Sequence, residues 1–223
     1  MVKRAIIAVA AAAIAATQAI AGPGMPGVIP EKISTKCGRT YQVYDHCRDQ
    51  SAILAEAEAL AAKTGRSVLA VFGHDVSTES IVLLAYLTGQ RGPNPLKSFD
   101  GLEAAVKAGR PEELEKAKAL AAYVRENFVV VALAVVAPES TRWRELTESL
   151  GLLIGANGFF LAGTLVRREL VATLPNLRQR PDMAFPHRVM EPLNTKIGYD
   201  REKLLEELKA LRAITLVAER RGT

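Results

Sequence analysis

Residues 67–72 (SVLAVF) and 128–136 (FVVVALAVV) are uninterrupted apolar runs of strand length. A strand without polar alternation is one covered on both faces. Around these runs the apolar period becomes helical. Over residues 50–64, Ile53, Leu54, Ala57, Leu60 and Ala61 share one face, and Gly65 follows the last turn. Gly73, His74 and Asp75 break the first run, and residues 77–87 resume as helix. Residues 88–99 (TGQRGPNPLKSF) are rich in turn formers. Asp100 and Glu103 have capping-box spacing for a short helix ended by Gly109. Pro111, Glu112 and Glu113 then open a helix that runs to about residue 126.

Beyond the second run, residues 141–150 predict a short helix, and 159–161 with 164–170 a hairpin pair. Residues 175–197 contain four prolines and predict an irregular connection. Asp200 caps a last helix in which Leu204, Leu205, Leu208 and Leu211 form one stripe. The order is helix, strand, helix, inserted helices, strand, helix, hairpin, helix. A βαβ unit followed by a ββα unit implies an α/β fold of three layers around a small mixed sheet.

The first residues change the picture of where this domain works. Lys3 and Arg4 precede an uncharged apolar run over residues 5–16, too short for the about 20 residues that span a bilayer, and Ala19, Ile20 and Ala21 form a small-x-small cleavage site. Residues 1–21 therefore read as a secretory signal peptide, which implies a periplasmic or secreted, extracytoplasmic address. Its removal takes two bases and no acid, lowering the formal charge from +5 to +3. Residues 22–40 read as a flexible leader, and 41–215 as the folded domain with a helical insertion at about 88–126. The bases are interspersed with acids and lack interleaved aromatics, which argues against a nucleic-acid partner. No second long apolar run follows, so no stable membrane span is expected after signal cleavage.

The order of elements, together with several local strings, resembles the exported bacterial thioredoxin-like family. Tyr44-Asp45 with Arg48-Asp49 ahead of the first helix is similar to that family's opening. The turn Thr64-Gly65-Arg66 into the first strand, Val71-Phe72-Gly73-His74-Asp75, Asn127-Phe128-Val129, and Gly198-Tyr199-Asp200 before the last helix are similar in the same order. The resemblance implies a thioredoxin fold over about residues 41–212, interrupted at 88–112. It also implies a Cys-x-x-Cys motif at the start of the helix after the first strand, where the helix N-terminus stabilises a thiolate for disulfide exchange. This chain has Ser77-Thr78-Glu79-Ser80 there. A serine hydroxyl forms no disulfide, so the redox atoms are missing. The family's second hallmark, a cis-proline facing the motif, falls at Asn157 in the stretch Gly155-Ala156-Asn157-Gly158-Phe159. A non-proline cis bond costs about 3–4 kcal/mol, so a trans bond and a reshaped groove are expected.

Cys37 and Cys47 are the only cysteines. In an exported chain they read as a structural disulfide worth roughly 2–3 kcal/mol, with a displaced redox pair as the alternative. His46, His74 and His187 have no tight ligand spacing with one another or with the cysteines, so no metal and no cofactor are expected. His74 stands three residues before Ser77 as a conceivable base, but Ser77 is foremost a natural N-cap. Arg167, Arg168, Arg178, Arg180 and Arg188 form a loose basic cluster that reads as a solvated face, with an acidic ligand or partner as the alternative. Trp143, Phe159 and Phe160 read as packing. The helices at 101–109 and 111–126 are amphipathic and read as a cover for the sheet or for the motif's groove, with partner docking as their functional alternative.

Together these features favour a redox-inactive protein that binds exported proteins or peptides, a chaperone-like module rather than an enzyme. Two alternatives stand beside it: a thiol–disulfide oxidoreductase or isomerase using Cys37 and Cys47, and a structural subunit of an envelope assembly. Oligomeric state is not legible in the sequence.

Overall fold

A computed structural model describes residues 44–45, 47–74, 78–89, 111–135, 142–150, 161–174, 190–193 and 196–221. The elements are α1 (Gln50–Thr64), β1 (Ser67–Gly73), α2 (Thr78–Thr88), α3 (Glu112–Asn127) and β2 (Phe128–Ala134). There follow α4 (Arg142–Ser149), β3 (Leu161–Val166), β4 (Glu169–Thr173), β5 (Met190–Leu193), β6 (Lys196–Tyr199) and α5 (Arg201–Arg221). The expected signal peptide at 1–21 and leader at 22–40, Cys37 and the short helix expected at 101–109 lie outside the described residues.

The main sheet has four strands in the order β2-β1-β3-β4. β1 and β2 run parallel, from Ser67 opposite Phe128 to Gly73 opposite Ala134. β3 is antiparallel to β1, and β4 to β3. The molecule is thus a mixed α/β structure around a mixed open sheet, and its strand composition explains the layering. Every residue of β1 and β2 is buried, as unalternated apolar runs require. Val68, Ala70 and Phe72, with Val129, Val131 and Leu133, pack beneath Ile53, Leu54 and Ala57 of α1 and Leu146 of α4. Leu69 and Val71, with Phe128, Val130 and Ala132, face α2, Leu120 and Val124 of α3, and the Leu204–Leu208–Leu211 stripe of α5. Each Val, Leu, Ile or Phe side chain among these contributes about 1.5–3 kcal/mol on burial. The sheet is therefore the middle of three layers, and α3 covers one of its faces.

Local chemistry sets the helix boundaries. The Asp49 carboxylate accepts from Ser51 N at the start of α1, and Gly65 ends it at φ 66°. Asp200 accepts from both Glu202 N and Lys203 N at the start of α5. That helix continues to Arg221, six residues past the expected domain end at 215.

Two expectations need correction. The hairpin is not 159–161 with 164–170. Its strands are β3 and β4, and its two-residue turn is Arg167-Arg168, at φ 53° and 63°. Left-handed backbone costs a non-glycine residue about 1–2 kcal/mol, but this mirror-image turn matches the twist of the flanking strands. Gly163 lies within β3, where a Cβ would stand 2.5 Å from the Ala172 carbonyl oxygen, so the close approach of β4 requires glycine there. The second correction concerns 175–197, which is not wholly irregular. Met190–Leu193 and Lys196–Tyr199 pair antiparallel as a separate two-stranded sheet, and β6 lies near α2.

Candidate functional site

The candidate site is the end of the sheet where β1 gives way to α2. Parallel β1 and β2 both present their carboxyl ends there, the usual position for ligands in open α/β sheets. Gly73 closes β1, and its carbonyl accepts from Val135 N at 2.9 Å. α2 begins at Thr78, so of the motif Ser77-Thr78-Glu79-Ser80 the last three residues are helical. Ser77 lies outside the described residues, as do Asp75 and Val76.

Ser80 is fully buried. A Cβ added to Gly73 would stand 2.6 Å from the Ser80 Oγ and 2.6 Å from the Tyr44 hydroxyl oxygen. The backbone of β1, the side chain of Ser80 and the ring of Tyr44 thus converge on one point, and only glycine leaves room for it. Tyr44 is itself fully buried, a large side chain inserted from the segment that precedes α1. His74, the next residue after Gly73, is half-buried.

Gln50 fastens that segment to the sheet. Its Oε1 accepts from Ala134 N at 2.8 Å, and its Nε2 donates to the carbonyls of Asp45 at 2.7 Å and Arg48 at 2.9 Å. The side chain is buried with three good partners, so its polarity is fully used. Sequence reasoning missed this role. A glutamine at the first turn of an amphipathic helix looks like a surface residue, and its partner is 84 positions away.

Around Gly73 the arrangement is sterically tight. A hydroxyl with no exposed surface, as at Ser80, is not placed to attack an external substrate. Three described groups away from this point have shifted acidities. Burial pushes the Tyr123 phenol up, opposed by Arg212. For Asp200, burial raises the carboxyl, but the hydrogen bonds and charge of Lys203 and the amide of Glu202 outweigh it and hold it below the ordinary value. For Lys116, desolvation is outweighed by Glu113 and Glu202, which raise the ammonium. Among the described residues no group of His, Cys, Asp and Glu side chains is disposed to hold a metal ion. Nor is any described helix long and apolar enough to cross a membrane.

The other residues singled out by sequence are scattered. Arg167 and Arg168 form the β3–β4 turn, and Arg168 pairs with Glu58 at 3.6 Å. Arg178, Arg180, Arg188, His46, His187, Phe159, Phe160 and Asn157 lie outside the described residues, and of Trp143 only its place in α4 is described. Cys47 precedes α1, and no described cysteine is free. Cys37 is not among the described residues, so the Cys37–Cys47 bridge remains an expectation. Compared with known proteins, the chain matches no family model, no curated protein and no solved structure.

Proposed function

We propose that this is an extracytoplasmic protein of thioredoxin fold that has no redox dithiol and acts by binding exported proteins or peptides. The strand order β2-β1-β3-β4, with a parallel first pair, an antiparallel hairpin and helices on both faces, supports the fold assignment. The signal-like residues 1–21 support the address. One observation carries the functional reading: Ser80, at the place of the motif's second thiol, is a buried hydroxyl locked between Gly73 and Tyr44. Among the described residues the site has no thiol, metal-binding group or exposed nucleophile, which favours what the fold offers without chemistry, a surface for extended chains. A Cys37–Cys47 disulfide belongs to this proposal as a staple between leader and domain.

Two measurements test it together. In-cell crosslinking in the envelope fraction is expected to capture exported polypeptides. Assays of disulfide reduction and isomerisation on a peptide substrate are expected to show no turnover. Turnover abolished by Cys37→Ser or Cys47→Ser would overturn the binding reading in favour of an oxidoreductase.

A further inference from the structure

Helix α5 carries two stripes. Leu204, Leu208, Leu211 and Thr215 are buried against the sheet. Ile214, Val217 and Arg221 follow one another at spacings of three and four on a neighbouring face, where Ile214 is 54% and Val217 48% exposed. Across from them β4 is irregular: its pairing passes from Leu165 opposite Leu170 to Thr164 opposite Ala172, so Val171 is the extra residue of a β-bulge. Between the two elements lies an open groove of about 550 Å³, lined chiefly by Arg167, Glu169, Val171, Ile214, Val217 and Arg221. That volume falls in the range of about 300–1,000 Å³ typical of ligand sites.

We propose that this groove docks a short peptide segment bearing both apolar side chains and carboxylates. The proposal rests on the binding reading above and names its partner chemistry and surface. Charge identifies the occupant. Arg48, Arg168, Arg201 and Arg212 are each paired with a carboxylate. Arg167, Arg221 and Glu169 have no ion pair or side-chain hydrogen bond among the described residues. With two cations to one anion, the groove complements an acidic partner. A second copy of this chain, at formal charge +5 with residues 1–21 and +3 without them, brings the wrong sign. A stable pair also needs about 800 Å² per partner, well beyond two exposed aliphatic side chains. Strand addition to β4 is opposed by the bulge, which interrupts the even row of edge amides and carbonyls. Side chains enter instead, apolar ones over Ile214 and Val217 and a carboxylate toward Arg167 or Arg221.

The test is fluorescence anisotropy of two labelled peptides of equal length, one of leucine and glutamate and one of leucine and lysine, titrated with the full chain. The glutamate peptide is expected to bind, more weakly as salt rises, and the lysine peptide not to bind. Ile214→Ser combined with Arg221→Glu is expected to weaken binding about tenfold. Both side chains are exposed, so circular dichroism should show unchanged helix content. Equal binding of the two peptides, no binding, or unchanged affinity in the double variant overturns the proposal. Binding to phosphatidylglycerol vesicles that the variant abolishes, without peptide binding, overturns it in favour of a lipid surface. If the double variant still captures the crosslinked clients of the wild type, the groove assignment fails while the binding reading stands. If the wild type captures no client yet binds the glutamate peptide in this manner, the groove stands and the client reading fails.

Discussion

The side-chain oxygen of Gln50 accepts the backbone amide of Ala134 at 2.8 Å, joining the first turn of α1 to the last residue of β2. Through its amide nitrogen the same side chain holds the carbonyls of Asp45 and Arg48. It therefore anchors the segment that delivers Tyr44 to the candidate site. Gln50→Leu removes the acceptor and both donors while keeping the volume, and leaves the buried Ala134 amide without its partner. A loss of about 2–3 kcal/mol in urea unfolding is expected. A loss under about 0.5 kcal/mol would show that Gln50 does not perform this role.

Gly73 should tolerate no side chain. In Gly73→Ala the new methyl stands 2.6 Å from both the Ser80 Oγ and the Tyr44 hydroxyl oxygen. Overpacking of this kind costs about 1–3 kcal/mol. Ser80→Gly combined with Gly73→Ala should recover part of that loss, because it removes one of the two obstructions. Strict additivity of the two changes in a double-mutant cycle would refute the contact.

Thr164 and Thr215 meet through their hydroxyls at 2.6 Å in the core, and Thr215 donates its proton to the Leu211 carbonyl at 2.7 Å. Thr164 is therefore the donor of the pair. The two substitutions should differ in consequence. Thr215→Val strands the Thr164 donor in a buried place and should cost about 1–3 kcal/mol. Thr164→Val leaves Thr215 still bonded to Leu211 and should cost less. The double valine variant should be closer to wild type than Thr215→Val alone. Equal thermal or urea losses for the two single variants would rule out this proton order.

Asp200 has a folded-state acidity below its ordinary value of 3.8. Its contribution is thus fully present above that value and is lost as pH falls through the still lower folded value. Asp200→Ala should cost about 1 kcal/mol at neutral pH, the worth of an N-cap. The gap to wild type should narrow once pH drops below about 4, where the unfolded chain binds the proton first. A gap independent of pH in acid-range unfolding curves would contradict the assignment.

What the sequence disclosed was governed by near neighbours. The apolar runs that begin at 67 and 128 became β1 and, as far as Ala134, β2 because nothing in them permits an exposed face. Gly65 and Asp200 marked helix ends because caps act within three residues. The hairpin was misplaced because Arg167 and Arg168 are not turn formers, and because Gly163 was kept small by a neighbouring strand rather than by a bend. At the candidate site the absence of thiols was legible from residue types alone. The burial of Ser80 and the reach of Gln50 were not, since each depends on a partner brought close only by the complete sheet.

The ties around β1 also dictate an order of assembly. Ser67, its first residue, donates to Glu219 at 2.5 Å from 152 residues away, and Arg212 reaches back to the Gly65 carbonyl at 3.2 Å. A chain emerging amino end first therefore displays this buried strand long before the last helix arrives to cover it. Such distant closures are slow, and the unfinished sheet is prone to aggregate in the interval. Folding of this protein is a property of the finished chain, so loss of its last twenty or so residues should be felt at its first strand.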